Sequence, residues 1–171
     1  MTQDTPKLLL VCGKAGSGKS TMAAQLGRPA RTVVIAEDDW LGTLFGDQMS
    51  SVSDYARCAA RLRGIMGPHV VALLRSGMSV VLDFPANTIA TRAWMRGIAE
   101  RAQAPCELHY LDIPNELCKA RLRARNASGT HPFSLTDAQF DQLSHHFVAP
   151  TPDERFDIVV HRPDDDARSL Q

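Results

Sequence analysis

Near the start of the chain, Gly13-Lys14-Ala15-Gly16-Ser17-Gly18-Lys19-Ser20 satisfies the pattern G-x-x-x-x-G-K-[ST] without a mismatch. It follows a continuous apolar run from Lys7 to Cys12, the composition of a buried parallel strand, and it precedes Ser20 to Leu26, which reads as a helix. A strand that turns through three glycines into a helix constrains the fold more than any other feature here. The glycines let the backbone bend tightly enough for successive N–H groups to point at one anion, and the following helix adds the positive end of its dipole. Gly13, Lys14, Ala15, Gly16, Ser17, Gly18, Lys19, Ser20 and Thr21 are therefore the candidate phosphate-binding residues.

The rest of the chain alternates strands with helices. Strands are expected at Thr32 to Ala36, Ser79 to Leu82, Glu107 to Ile113 and Asp157 to Val160. Ser53 is a plausible cap for a helix through Met66, which Gly67-Pro68 should break or kink before Val70 to Ser76. Further helices are expected at Thr88 to Gln103, at Asn115 to Arg125 behind Pro114, and from a cap at Thr136 through Phe147. Asn126 to Pro132 reads as a polar loop, and the acidic tail from Pro163 as frayed. This order predicts an α/β fold of three layers, a five-stranded parallel sheet with helices on both faces and a short lid over residues 121–133, all in a single domain spanning 1–171. Ligands of such sheets bind beyond the carboxyl ends of the strands.

Composition narrows the function classes. The 171 residues carry 19 Lys+Arg against 19 Asp+Glu, so the strongly basic character of many nucleic-acid binders is absent. Among the cations arginine dominates, 15 to 4. The four cysteines, Cys12, Cys58, Cys106 and Cys118, have no CxxC spacing and read as reduced thiols. The first residues lack a signal-peptide pattern and no run approaches the length of a membrane span, so a cytoplasmic protein without membrane contact is expected.

Several polar residues fall at predicted strand ends. Lys19 is placed to reach the β- and γ-phosphates of a nucleotide, with the Ser20 hydroxyl on Mg²⁺. Asp83 closes Val80-Val81-Leu82 and is the second candidate metal ligand. Asp38 and Asp39 close the second strand; either can accept a proton from an attacking hydroxyl, and either can instead cap the helix that follows. Arg121 and Arg125 share a helix face and can converge on the γ-phosphate, unless they are simply cations at a solvated helix end. Arg92 either orients substrate or is a surface residue of its helix, and Arg125 and Arg162 are candidates for packing on a purine. Trp40, Phe45 and Tyr55 lie on segments expected to cover the acceptor, and the histidines have no metal-ligand spacing.

Taken together, GKAGSGKST, EDDW, VVLDFPANTIATR, LDIPNELCKARLRARN and FVAPTPDERFDIVV resemble the small P-loop kinases, nearest the group that holds polynucleotide 5′-kinase domains, zeta toxins and chloramphenicol phosphotransferase, often labelled AAA-family ATP-binding proteins. The resemblance implies transfer of the ATP γ-phosphate to a hydroxyl, with the base at Asp38, the magnesium-side acid at Asp83 and lid arginines at Arg121 and Arg125. Polynucleotide kinases of the group carry a phosphate-contacting arginine shortly after the paired acids, where this chain has Leu41. The expected activity is an ATP- and Mg²⁺-dependent kinase of a small hydroxyl-bearing molecule. The alternatives are a nucleotide-binding switch with little phosphotransfer, and a nucleic-acid 5′-hydroxyl kinase, which the neutral charge and Leu41 disfavour.

Overall fold

The computed structural model describes residues 5–129 and 134–163. Five strands, β1 (Leu8–Cys12), β2 (Thr32–Ala36), β3 (Ser79–Asp83), β4 (Cys106–Leu111) and β5 (Asp157–His161), form one sheet in the order β2-β3-β1-β4-β5. Every pairing is parallel. The central strand β1 is apolar and buried along its whole length, because helices cover it on both sides.

Alternation along the strands sorts the core into two layers. Leu8, Leu10 and Cys12 of β1, with Val80, Leu82 and Leu108, face the large layer. There they meet Cys58, Leu62, Met66, Val70 and Leu74 of α3 (Val52–Arg75) and Met95, Ile98 and Ala99 of α4 (Ile89–Ala102). Leu9, Val11 and Val81 face the other way, onto Ala23 of α1 (Lys19–Leu26). A third cluster joins Cys118 and Leu122 of α5 (Asn115–Ser128) to Phe140 of α6 (Asp137–Ser144). The expected five-stranded parallel sheet with helices on both faces is present.

Four local expectations are corrected. Gly67-Pro68 does not break the helix; α3 runs 24 residues with Pro68 inside it. A proline ring clashes with the carbonyl four residues back and restricts the residue just before it. The residue just before it is Gly67, which has no Cβ for the ring to meet, and Pro68 itself faces solvent. The cap of α3 is Ser51 rather than Ser53: its hydroxyl accepts from the Asp54 N–H at 3.1 Å, while the Asp54 carboxylate accepts from Ser50. At the far end of the sheet α5 continues past Arg125 to Ser128, so the expected loop starts later. Residues 130–133 of the expected lid, and the tail beyond 163, lie outside the described residues. Thr136 caps α6 as expected, with Gln139 bonding back to it, but the helix stops at Ser144.

The helix α2 (Glu37–Phe45) follows β2 without a loop. Its first turn therefore consists of Glu37, Asp38 and Asp39, acids that suit the positive end of the dipole.

Candidate functional site

The loop between β1 and α1 depends on glycine at two positions. Gly18, immediately before α1, has φ 99°, and Gly16 has φ 74°. Both lie in the left-handed region that other residues enter at a cost. A Cβ on Gly16 would also stand 2.6 Å from the carbonyl oxygen of Cys118, so α5 packs directly on the loop. Lys19 folds back across this loop, its ammonium donating to the carbonyls of Gly13 at 2.8 Å and Lys14 at 2.9 Å. Burial lowers its pKa, which Asp83 and Asp38 oppose. The Ser17 hydroxyl is buried with no hydrogen-bond partner among the described residues. The Lys14 side chain turns away from the loop, to Asn115 Oδ1 at 2.6 Å and over the Phe147 ring.

Beside the loop, the Ser20 hydroxyl donates to Asp83 Oδ2 at 2.9 Å. Burial raises the Asp83 pKa; the Ser20 hydrogen bond and Lys19 pull it down, while Asp38 and Asp39 push it further up. Three carboxylates thus act on one another at the ends of the adjacent strands β2 and β3. Asp38 and Asp39 are both exposed on that rim. A hydroxyl and a carboxylate in contact, in a cluster of excess negative charge, form a donor set that suits a hard divalent cation shared with phosphate oxygens and water.

On the other flank, a cavity of about 300 Å³ opens between α1, α5 and the end of β5, bounded by Thr21, Gln25, Arg121, His161 and Arg162 among others. Arg121 Nη1 donates to the Ser17 carbonyl at 3.1 Å, fixing α5 to the loop. Arg162 bonds Asp112 at 3.2 Å. His161 pairs with His109 at 2.9 Å, and His109 continues to Glu107 at 2.8 Å. Arg125 does not line this cavity, although it lies one turn beyond Arg121 on the same helix, and its Nε has no hydrogen-bond partner among the described residues. Of the two arginines expected near a purine, Arg162 lines this cavity and Arg125 does not. A larger cavity of about 540 Å³, lined by Arg96, Glu100, Cys106, Asp153 and Arg155, lies where β4 begins, at the end of the sheet opposite the loop.

Arg92 is not available to substrate. It is fully buried and forms a two-pronged ion pair with Glu154, Nε at 2.7 Å and Nη2 at 2.9 Å. Its Nη1 donates to the carbonyls of Ala86 at 2.9 Å and Val148 at 2.8 Å. The expected substrate role is therefore corrected to a structural one. Ala86 in turn accepts from Cys12 Sγ at 3.2 Å, and Asn87 Oδ1 accepts from the Gly13 N–H at 3.4 Å. Arg92 thereby braces the segment that backs the glycine loop.

The AAA domain family matches residues 8–150, most of the chain, and with it every residue of the loop and of the carboxylate rim. The chain belongs to that family. Solved structures similar to this AAA domain are P-loop kinases in fold. One is a Chloroflexus aurantiacus protein classed as a kinase, 19% identical, with TM-score 0.72 over 95% of this chain and 87% of its own. A second is the Mycobacterium tuberculosis APS kinase CysC in complex with AMPPNP and APS, 22% identical, with TM-score 0.62 over 97% and 95%. The third, Chaetomium thermophilum Kti12 in complex with ADP-AlF3, is 20% identical, with TM-score 0.65 over 96% and 94%. At these identities the likeness establishes the fold. No curated protein matches the chain. No helix among the described residues is long and apolar enough to cross a membrane.

Motif reading of the AAA domain missed one group at this rim. Glu37, first residue of α2, is 1% exposed and bonds Tyr55 and Arg63 of α3. Its only sequence signal was the acid triplet itself, Glu37-Asp38-Asp39, in which nothing marks the first as the buried member.

Proposed function

We propose that this AAA domain is an ATP-dependent kinase that transfers the γ-phosphate to a hydroxyl of a small molecule. The observation that carries the reading is the rim itself: Lys19, the Ser20–Asp83 contact and Asp38 act on one another at the carboxyl ends of neighbouring strands. The glycine loop offers backbone N–H groups at a helix N-terminus, a lysine ammonium and the unpartnered Ser17 hydroxyl, groups that phosphate oxygens satisfy. The cavity beside Thr21, Gln25 and Arg162 takes the nucleoside, leaving the γ-phosphate toward β3 and β2. Ser20 and Asp83 would hold Mg²⁺, which supplies charge neutralisation for the transferring phosphoryl group when bound.

Asp38 is the base in this reading, with Asp39 beside it as the competing carboxylate. The acceptor hydroxyl gives its proton to the carboxylate as its oxygen bonds to phosphorus and the bond to the ADP leaving oxygen breaks. Lys19 and Arg121 lie on the loop side and stabilise the charge that spreads over the phosphoryl oxygens. The neutral chain, and Leu41 at the place where polynucleotide kinases of the resembled group carry an arginine, favour a small acceptor over nucleic acid.

The test is a panel of hydroxyl-bearing metabolites and antibiotics incubated with γ-labelled ATP and scored for labelled product. Label that appears only as free phosphate across the panel rejects the kinase reading in favour of a nucleotide switch. With an acceptor in hand, Asp38→Asn should retain ATP affinity and lower the transfer rate roughly 10²-fold or more. An Asn variant that transfers normally moves the base to Asp39.

A further inference from the structure

The buried Glu37 immediately precedes Asp38, yet it points into α3 rather than to the rim: Oε2 accepts from the Tyr55 hydroxyl at 2.9 Å and Oε1 from Arg63 Nε at 3.3 Å. The ion pair with Arg63 uses Nε alone. Among the described residues neither Nη atom of Arg63 has a hydrogen-bond partner, and the side chain is 27% exposed. The guanidinium carbon lies over the Trp94 ring, 5.6 Å from its centroid, and Trp94 packs against Phe84 at 6.1 Å. Trp94 also lies close over Gly67, one turn along α3 from Arg63, where a Cβ would meet its Nε1 at 3.8 Å.

These contacts place Arg63 within the fold. Glu37 follows the end of β2, and Phe84 follows Asp83 at the end of β3. Arg63 is tied to both, so it spans the ends of the two strands on the side of β1 away from the nucleoside cavity. Asp38 acts electrostatically on Glu37 and Tyr55 on this side and on Lys19 and Asp83 on the other.

We propose that Arg63 is the anion-binding residue of the acceptor pocket, and that the acceptor carries a phosphate, sulfate or carboxylate group in addition to its hydroxyl. A guanidinium held at Nε and set over an indole ring has lost most of its rotamer freedom. It presents its two Nη groups as a fork whose geometry matches two oxygens of an oxyanion. A pair serving stability alone gains from meeting the carboxylate with both prongs, as Arg92 meets Glu154; Arg63 meets Glu37 with one. Leu41, one turn after Glu37, is buried and contributes no polar contact to such a group. The inference rests on the kinase reading only for what the anion is attached to.

The chain has two tryptophans, Trp40 and Trp94, so Trp40→Phe leaves Trp94 as the sole indole reporter beside Arg63. In that background, saturated with MgADP to fill the glycine loop, sulfate should produce a saturable change in Trp94 emission. Its affinity should fall on the order of tenfold or more in Arg63→Gln and recover in part in Arg63→Lys, which keeps the charge without the fork. No saturable change, or an equal one in Arg63→Gln, overturns the proposal. If Arg63→Gln melts before it can be titrated, a several-fold weakening in Arg63→Lys replaces it as the criterion, and an unaltered affinity there is the contrary result. The acceptor panel supplies a second arm when built as matched pairs with and without the anionic group. Turnover should favour the anionic member, with KM raised in Arg63→Gln; an uncharged acceptor whose KM does not respond to Arg63 overturns the assignment. MgADP affinity is measured alongside: its absence with an intact sulfate response rejects the nucleotide reading and leaves Arg63 standing, whereas the reverse rejects Arg63 alone.

Discussion

Lys19→Ala raises the Kd for MgATP on the order of 100-fold or more, the equivalent of about 3 kcal/mol, because two or more charge-assisted hydrogen bonds to the β- and γ-phosphates are lost together. In the free protein the ammonium already sits within the loop, held by the carbonyls of Gly13 and Lys14. It needs to move little to meet a phosphate, so its ordering is largely complete before binding. Titration calorimetry with MgATP and MgADP measures the loss, and circular dichroism checks that the variant retains its fold. The effect should be larger for ATP than for AMP, which has no β- or γ-phosphate. A variant that binds MgATP as tightly as the parent removes the triphosphate from the loop and takes the proposed reaction with it.

Arg92→Ala produces the largest loss of stability of any single change to a polar residue here, about 3–5 kcal/mol. It leaves the Glu154 carboxylate without its charged partner, the Val148 carbonyl without a donor and the Ala86 carbonyl with only the weak Cys12 Sγ donor. In a domain of this length that corresponds to a drop in Tm of about 10 °C. The pH dependence gives a second readout. Arg92 holds the Glu154 pKa below its ordinary value of 4.5, so the contribution is fully present above that value and is lost as pH falls below it. The difference in Tm between parent and variant should therefore narrow as pH falls from 5 toward 3, as an order-of-magnitude window for a depressed carboxylate. A difference that stays constant over that range means that the packing of the arginine, rather than its charge, supplies the effect. Because Ala86 and Asn87 back the loop, the variant should also bind MgATP more weakly wherever it remains folded.

The features legible in the sequence are those whose cause is local. The glycine loop, the apolar strands and the acids that close β2 and β3 each lie within a few residues of what determines them, and their order along the chain fixes the parallel sheet. Pro68 misled because Gly67, the residue its ring restricts, has no Cβ to clash with it, while Met66, Val70 and Leu74 continue to be buried on either side. Arg92 and Glu154 are 62 residues apart, and nothing in the segment around either announces the other. The Glu37–Arg63 pair is hidden for the same reason: from the sequence, three adjacent acids are equivalent, and only the packing of α3 against α2 buries the first of them. Convergence of Arg121 and Arg125 was half legible. The spacing places both on one face of α5, but the loop meets only the turn that carries Arg121.

The thiols of this chain have a practical use. Cys12, Cys58 and Cys118 are buried, burial pushes the Cys12 thiol up to about 11 and raises that of Cys118, and the half-buried Cys106 is pushed up to about 12. Alkylating reagents need thiolate and access, and the native fold withholds both from Cys12 and Cys118. Cys12 ends the strand that leads into the glycine loop, and Cys118 lies against Gly16, so their labelling rates report how often the nucleotide-binding end of the sheet opens. A bound nucleotide that clamps this end would slow those two sites, converting an ordinary modification assay into a position-resolved measure of breathing.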